Sequence, residues 1–297
     1  MGVCEYCPPD PLGMYVNNFP VPKDDGTDRV VAGGKVLKEN EDIESFKGQT
    51  VKDLAAWLRP GGVLWKGGLT KMFWQFSART AQRKLMQFWS ASDPGRTMRW
   101  CAMVMGWPGS CGHAQKIMLA ISGFLREELG INMYSYMDEY LGQSSSIAMA
   151  SLEAMMTKLV FQLLGLVHNF KKSSTADFGT KEEFIGVAID TVPMTLQPSV
   201  ARLTSIRECA HEISHRYRDR LPVSAVDWRS LVGKIRSCLR LHQQAGYKSI
   251  RMSSVLGQCT RRLGHRFPAS SAVPYDAVRW CLKELDYWAR PRPSSEW

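Results

Sequence analysis

A change of pattern at Pro198 limits most strongly what this chain can fold into. Before it, short runs of bulky β-formers alternate with two long helical stretches; after it, every periodic stretch reads as helix. A β-α-β-β-α-β alternation followed by a helical bundle predicts an α+β fold with segregated halves.

Up to Glu44 the segments PPDP, NNFPVP, DDGTD and AGG predict short strands joined by tight turns. A helix is expected from Val51 to Leu58, halted before Pro60-Gly61-Gly62, and strands in VLWKGGL and MRWCAMVM. His113 to Glu128 reads as a helix with Ile117, Leu119, Ile121 and Leu125 on its apolar face, leading into a strand at NMYSYM. The next helix, Ile147 to Leu166, is expected to bury Ala150, Leu152, Met155, Leu159, Phe161, Leu163 and Leu166. EEFIGVAIDTVPMTLQ reads as a hairpin turning at Asp190 to Pro193. Of the later helices, one ends before Pro222 and another starts near Ser224, a capping residue ahead of Asp227 and Trp228.

Several classes are set aside. The longest apolar stretch, around Leu159 to Val167, is interrupted by Gln162 and Gly165 and falls short of the roughly 18 to 20 residues a bilayer requires, so no membrane span is expected. The first ten residues, MGVCEYCPPD, resemble neither a signal nor a transit peptide. Eight cysteines scattered over 297 residues predict reduced thiols in an intracellular compartment, nucleus or organelle left open. Cys4 and Cys7 form a CxxC pair with no second pair nearby, and a flexible tail is expected there rather than zinc. Charge is uneven: Thr191 to Ser270 holds fourteen Arg and Lys against four acids, a local +10 equal to the excess of the whole protein. Such a stripe points to phosphate contacts or to a solvated helical face.

Successive stretches of the chain resemble, in order, the motifs of reverse transcriptases, closest to those of DIRS-type, tyrosine-recombinase retrotransposons. FPVPKDDGTDRVV resembles the fingers hairpin, with Lys23 and Arg29 where family residues close over the triphosphate. FKGQTVKDLAAWLRPGGVLWKGGLTKMFWQF follows the family's next segment without a gap, but Gly68 stands at its first metal-binding aspartate and Lys71 at its second. Phe73 holds the place of the ring that excludes a ribose hydroxyl, with core packing as the plainer role. MGWPGSCGHAQKIM resembles the nucleotide-pocket motif through Gly106, Gly109 and Ser110. YMDEYLG resembles the YxDD hairpin, with Tyr136 and Asp138 matched and Glu139 at the second aspartate. HNFKKSS supplies Lys172, and EEFIGVAID with Gly186 resembles the primer-grip hairpin.

The resemblance implies a right-hand polymerase fold. Residues 1–60 would be tail and fingers-like segment, 61–196 palm-like, 197–262 a helical thumb, and 263–297 a linker-like helix and tail. It also implies a damaged site. Two Mg²⁺ ions about 3.5 to 4 Å apart need hard carboxylate ligands, and Gly68 offers none. Asp138 and Glu139, read as neighbours on one strand, would point to opposite faces, and Lys71 could pair with Asp138 in place of a cation. The expectation is a degenerate, retrotransposon-derived pseudoenzyme without cofactor. It would bind RNA or an RNA/DNA duplex, perform a structural role, and act with other subunits of a ribonucleoprotein. Candidate phosphate contacts are Arg202, Arg207, Arg216, Arg218, Arg229, Lys234, Arg236, Arg240, Arg261 and Arg262. The alternatives are an active RNA-directed DNA polymerase with metal on Asp138 and Glu139, and a protein-protein scaffold. Trp65, Trp74, Trp89, Trp100 and Trp107 are expected in the core.

One motif belongs to another class. HEISH, His211 to His215, has the HExxH spacing of zinc proteases, yet the helix continues RYRDR and reads better as a solvated basic face.

Overall fold

Thr50 starts the first described helix because its hydroxyl accepts from the Asp53 backbone N–H while the Asp53 carboxylate accepts from the Thr50 N–H, a reciprocal cap. That helix, α1 (Val51–Trp57), ends ahead of Pro60, close to expectation. The computed structural model describes residues 2–10, 12–23, 26–34, 46, 48–170, 173, 178–221, 223–239, 266–267 and 292–293. The contacts divide the chain into two compact units, each drawn from separate stretches: 1–49, 65–142 and 148–177 in one, and 50–64, 143–147 and 178–297 in the other.

In the first unit, β1 (Cys4–Cys7) pairs antiparallel with β6 (Thr97–Trp100), which also pairs with β5 (Gln87–Trp89). Cys4 and Cys7 therefore lie in a strand, opposite Trp100 and Thr97, instead of the flexible tail expected from their isolation. β2 (Asn18–Pro22) and β3 (Asp28–Ala32) form the expected hairpin. Val16, Ala32, Met86, Trp100 and Val104 cluster in the core beneath these elements. The Arg-rich ARTAQRK stretch holds one helical turn, α2 (Thr80–Arg83). Of the expected tryptophans, Trp65 and Trp100 are buried, while Trp89 is 58 % exposed and stacks on Tyr15 with ring centroids 5.1 Å apart.

A three-stranded sheet runs in the order β4 (Val63–Gly68), β8 (Glu139–Ser144), β7 (Met133–Tyr136). Two helices belong to this part of the chain. α3 (Ser110–Leu129) starts after Gly109 and stops at Gly130, both with positive φ, as a helix bounded by glycine does. It buries Ala114, Gln115, Met118, Ile121, Ser122 and Leu125, so the expected Leu119 lies outside the buried stripe. α4 (Ile147–Leu163) buries Ala150, Ala154, Thr157 and Phe161. The expected core residues Leu152, Met155, Leu159 and Leu163 face outward instead. This helix is apolar on every side, so periodicity alone could not say which side turns in.

In the second unit, the Pro60-Gly61-Gly62 turn is clamped by buried Gln143, whose amide accepts from Arg59 N and donates to Arg59 O. β9 (Lys181–Phe184), β10 (Val187–Asp190) and β11 (Thr195–Pro198) form a meander, extended by β14 (Arg292–Pro293). The segment read as one hairpin thus contains two, the extra turn being Ile185-Gly186. α5 (Val200–Arg218), capped by Ser199, packs on α6 (Ala225–Leu239), with Leu203, Ile206, Ala210 and Ile213 of the first and Trp228, Leu231 and Ile235 of the second buried. The Ser224–Asp227 box that starts α6 is present as expected, with Asp227 N 3.0 Å from Ser224 Oγ. A two-residue ladder joins β12 (Val223–Ser224) to β13 (Arg266–Phe267). No helix among the described residues is long and apolar enough to cross a membrane.

Candidate functional site

β4 ends at Gly68, and the next residue, Leu69, donates its N–H to the Asp138 carbonyl at 2.7 Å. Residues far apart in sequence, Gly68 and the YMDE hairpin, are thereby brought side by side. The opposite edge of β4 is sealed by His168 and Asn169: Leu69 bridges His168, and Asn169 donates to the Gly68 carbonyl.

The hairpin differs from expectation in one respect. Tyr136 pairs with Glu139, so Met137 and Asp138 form a two-residue turn and only Glu139 belongs to a strand. Asp138 and Glu139 are therefore a turn residue and a strand residue, not two successive positions of a pleat. Met137 adopts a left-handed φ of 51°, uncomfortable for a bulky residue. The turn is held by Gln115 of α3, whose amide accepts from Met137 N at 2.7 Å and donates to the Ser135 carbonyl at 3.0 Å. Gln115 went unnoticed in the sequence; its signal is an amide on a helix face shared with Ala114 and Met118.

Behind the hairpin lies an aromatic packing unit. Tyr140 stacks on Phe161 and shares a hydrogen bond of 3.1 Å with His168 Nδ1. A Cβ on Gly67 would overlap the Tyr140 hydroxyl, and one on Gly142 would overlap the Trp65 ring. Glycine is needed at both for the rings to close on the sheet. Burial pushes the Tyr140 phenol up and the His168 imidazole down, both toward their neutral forms.

Lys71 carries a left-handed φ of 47° and sets its ammonium over the Trp74 ring, 4.9 Å from the centroid. That contact replaces the expected pairing with Asp138. Phe73 is half-buried on the short 3₁₀ helix Met72–Gln75, while its neighbour Met72 goes into the core. Among the described residues no three His, Cys, Asp or Glu side chains converge to hold a metal. Among the described residues, a glycine at position 68 and a turn-and-strand carboxylate pair do not fit a two-metal centre.

The β2–β3 hairpin carries Lys23 and Arg29. Lys23 Nζ donates to Thr27 Oγ1 at 2.6 Å across the turn, and Arg29 reaches the Met105 sulfur at 3.8 Å. Ala32 N bonds the Met105 carbonyl, and Gly106, with φ 91°, abuts Ala32 so closely that a side chain there would overlap it. Lys23, Arg29 and Gly106 thus belong to one local assembly. Lys172 lies outside the described residues, as do Arg240, Arg261 and Arg262.

The basic candidates of the second unit divide. Arg202 donates to the Ile185 carbonyl at 3.0 Å and fills the space over Gly186; Arg216 bonds Glu212 at 2.8 Å; Lys234 donates to the Ser205 carbonyl at 3.3 Å. These three have structural partners, which reduces their availability for phosphate. Arg207 is half-buried and engaged, whereas Arg218, Arg229 and Arg236 are exposed. Within HEISH, His211, Glu212 and His215 are exposed too, with His215 3.0 Å from Asp219 and Glu212 on Arg216, while Ile213 is buried. Its polar groups face solvent and each other rather than a common ion.

No family model and no curated protein matches the chain. Solved structures do. The foamy viral protease-reverse transcriptase dRH in complex with double-stranded DNA matches with a TM-score of 0.66 and 14 % identity, over 96 % of this chain and 45 % of that one. The foamy viral protease-reverse transcriptase with double-stranded DNA gives the same TM-score and identity, over 54 % of its chain. Its complex with an RNA/DNA hybrid matches at 0.65 and 14 %, over 93 % of this chain and 34 % of that one. The chain spans about half or less of the length of these proteins. Its fold is reverse-transcriptase-like.

Proposed function

We propose that this reverse-transcriptase-like domain no longer polymerises and is kept as a nucleic-acid-binding or structural subunit. The observation that carries the reading is Gly68, delivered beside the Asp138 turn where the resemblance calls for a carboxylate. The family's chemistry is stabilisation of charge by paired metal ions, worth several kcal/mol, and glycine holds no metal. In this reading the chain is a decayed copy of a DIRS-type element. The segments 1–60, 61–196, 197–262 and 263–297 act as fingers, palm, thumb and linker of a right hand that uses no cofactor. Its partners are RNA or an RNA/DNA duplex and other subunits of a ribonucleoprotein. Exposed Arg218, Arg229 and Arg236 are the phosphate contacts it favours. The foamy viral proteins it resembles in fold are in complex with double-stranded DNA and with an RNA/DNA hybrid, which supports a duplex as ligand.

The test is primer extension on an RNA template with Mg²⁺ or Mn²⁺, beside Gly68→Asp and Asp138→Ala. No extension by the unmodified chain is expected. Extension that disappears in Asp138→Ala would establish the active-polymerase reading instead. Duplex affinity that falls steeply with salt separates a binding domain from a pure scaffold.

A further inference from the structure

We propose that the outward face of α4 is a self-association surface, on which a second copy of this chain docks helix to helix in antiparallel orientation about a two-fold axis. Leu152, Met155, Leu159, Leu163, Val167 and Phe170 are between 47 % and 79 % exposed. With Ile147, Met149 and Leu164 they make nine exposed large apolar residues on this helix and the segment that follows. At roughly 80 to 100 Å² each, they present about 800 Å² of apolar surface, more than monomers usually leave to water. That area is about what each partner buries in a standard-size interface.

The pattern along the helix argues for the same chain as occupant. Mirrored about the Met155–Met156 bond, exposed Leu152 matches exposed Leu159, and exposed Ala148 matches exposed Leu163. The inward positions mirror as well, buried Ala150 with Phe161 and buried Ala154 with Thr157. An antiparallel copy would therefore set leucine on leucine on either side of a central methionine pair, with a small side chain against a large one at each end. A two-fold interface requires this self-matching. Charge does not oppose it: Glu153 and Lys158 are the only charged residues of the helix, and the excess of +10 lies within Thr191 to Ser270. The helix spans about 25 Å, enough for a complete packing seam.

The experiment is sedimentation velocity of the nuclease-treated full chain in about 0.5 M salt, where phosphate-mediated bridging is screened. A dimer is expected for the unmodified chain, and a monomer with unchanged far-UV circular dichroism for Leu152→Glu/Leu159→Glu. A second variant, Met155→Cys, is expected to form a disulfide-linked dimer absent from its parent, because in that register the side chain lies beside the axis, one residue from its own copy. A monomeric parent at about 100 μM, or a double variant that still dimerises, would overturn the proposal. So would a monomer that binds phosphatidylcholine vesicles, which would assign the face to lipid.

Discussion

The β7–β8 and β9–β10 turns solve one problem in two ways. Both are two-residue turns of antiparallel hairpins, and both place a bulky residue in the left-handed region: Met137 at φ 51° and Ile185 at φ 47°. The second continues into Gly186, which adopts φ 75° at no steric cost. The first continues into Asp138. Each is braced from a helix, by buried Gln115 of α3 in one case and half-buried Arg202 of α5 in the other. The lesson is that the turn with the poorer local chemistry depends more on its brace, and it is the turn that carries the candidate site.

This dependence can be broken experimentally. The largest effect is expected from Gln115→Ala, which strands Met137 N and the Ser135 carbonyl and should cost about 2 to 3 kcal/mol in urea unfolding. Arg202→Ala removes one charged donor from a more exposed site and should cost about 1 kcal/mol; if it costs more than Gln115→Ala, the contrast between the turns is wrong. Ile185→Asn relieves a β-branched residue in the left-handed region and should stabilise by about 1 kcal/mol, seen as a higher urea midpoint at constant slope.

The smallest expected effect is pH-dependent and belongs to the first hairpin alone. His168, bonded to Tyr140, is pushed by burial below its usual value of 6.5, so the folded state favours the neutral ring. Its contribution is therefore complete above about pH 6.5 and is lost as pH falls through the lowered folded value. Urea midpoints between pH 7.5 and pH 5 should drop less in His168→Gln than in the parent. Equal slopes would remove His168 from the account.

Local chemistry made some features legible in advance. The Ser224–Asp227 cap and the stop before Pro60 are each encoded within a few residues, and each stands where it was read. The Ile185-Gly186 turn has a weaker local signature, because glycine suits its second position but a β-branched residue holds the left-handed first one. Part of the candidate site was legible too: Gly68, Asp138, Lys23, Arg29 and Gly106 were singled out by motif, and two local groupings gather them. Gln115 and the Tyr140–His168 contact were not, because a lone amide or imidazole gains meaning only from what folds against it.

By itself, the sequence determined where capped helices such as α1 and α6 begin, that the chain mixes helix and strand, and that a glycine stands where the resemblance expects a metal-binding carboxylate. Those properties follow from caps, turns and periodicity, which act over one or two turns of chain. Only the tertiary structure decided that Cys4 pairs with Trp100, that Arg202 braces a turn instead of standing free, and which side of α4 is covered. A helix apolar on every side carries no local instruction for its orientation; the side that turns inward joins the small residues Ala150 and Ala154 to Phe161, whose ring stacks on Tyr140.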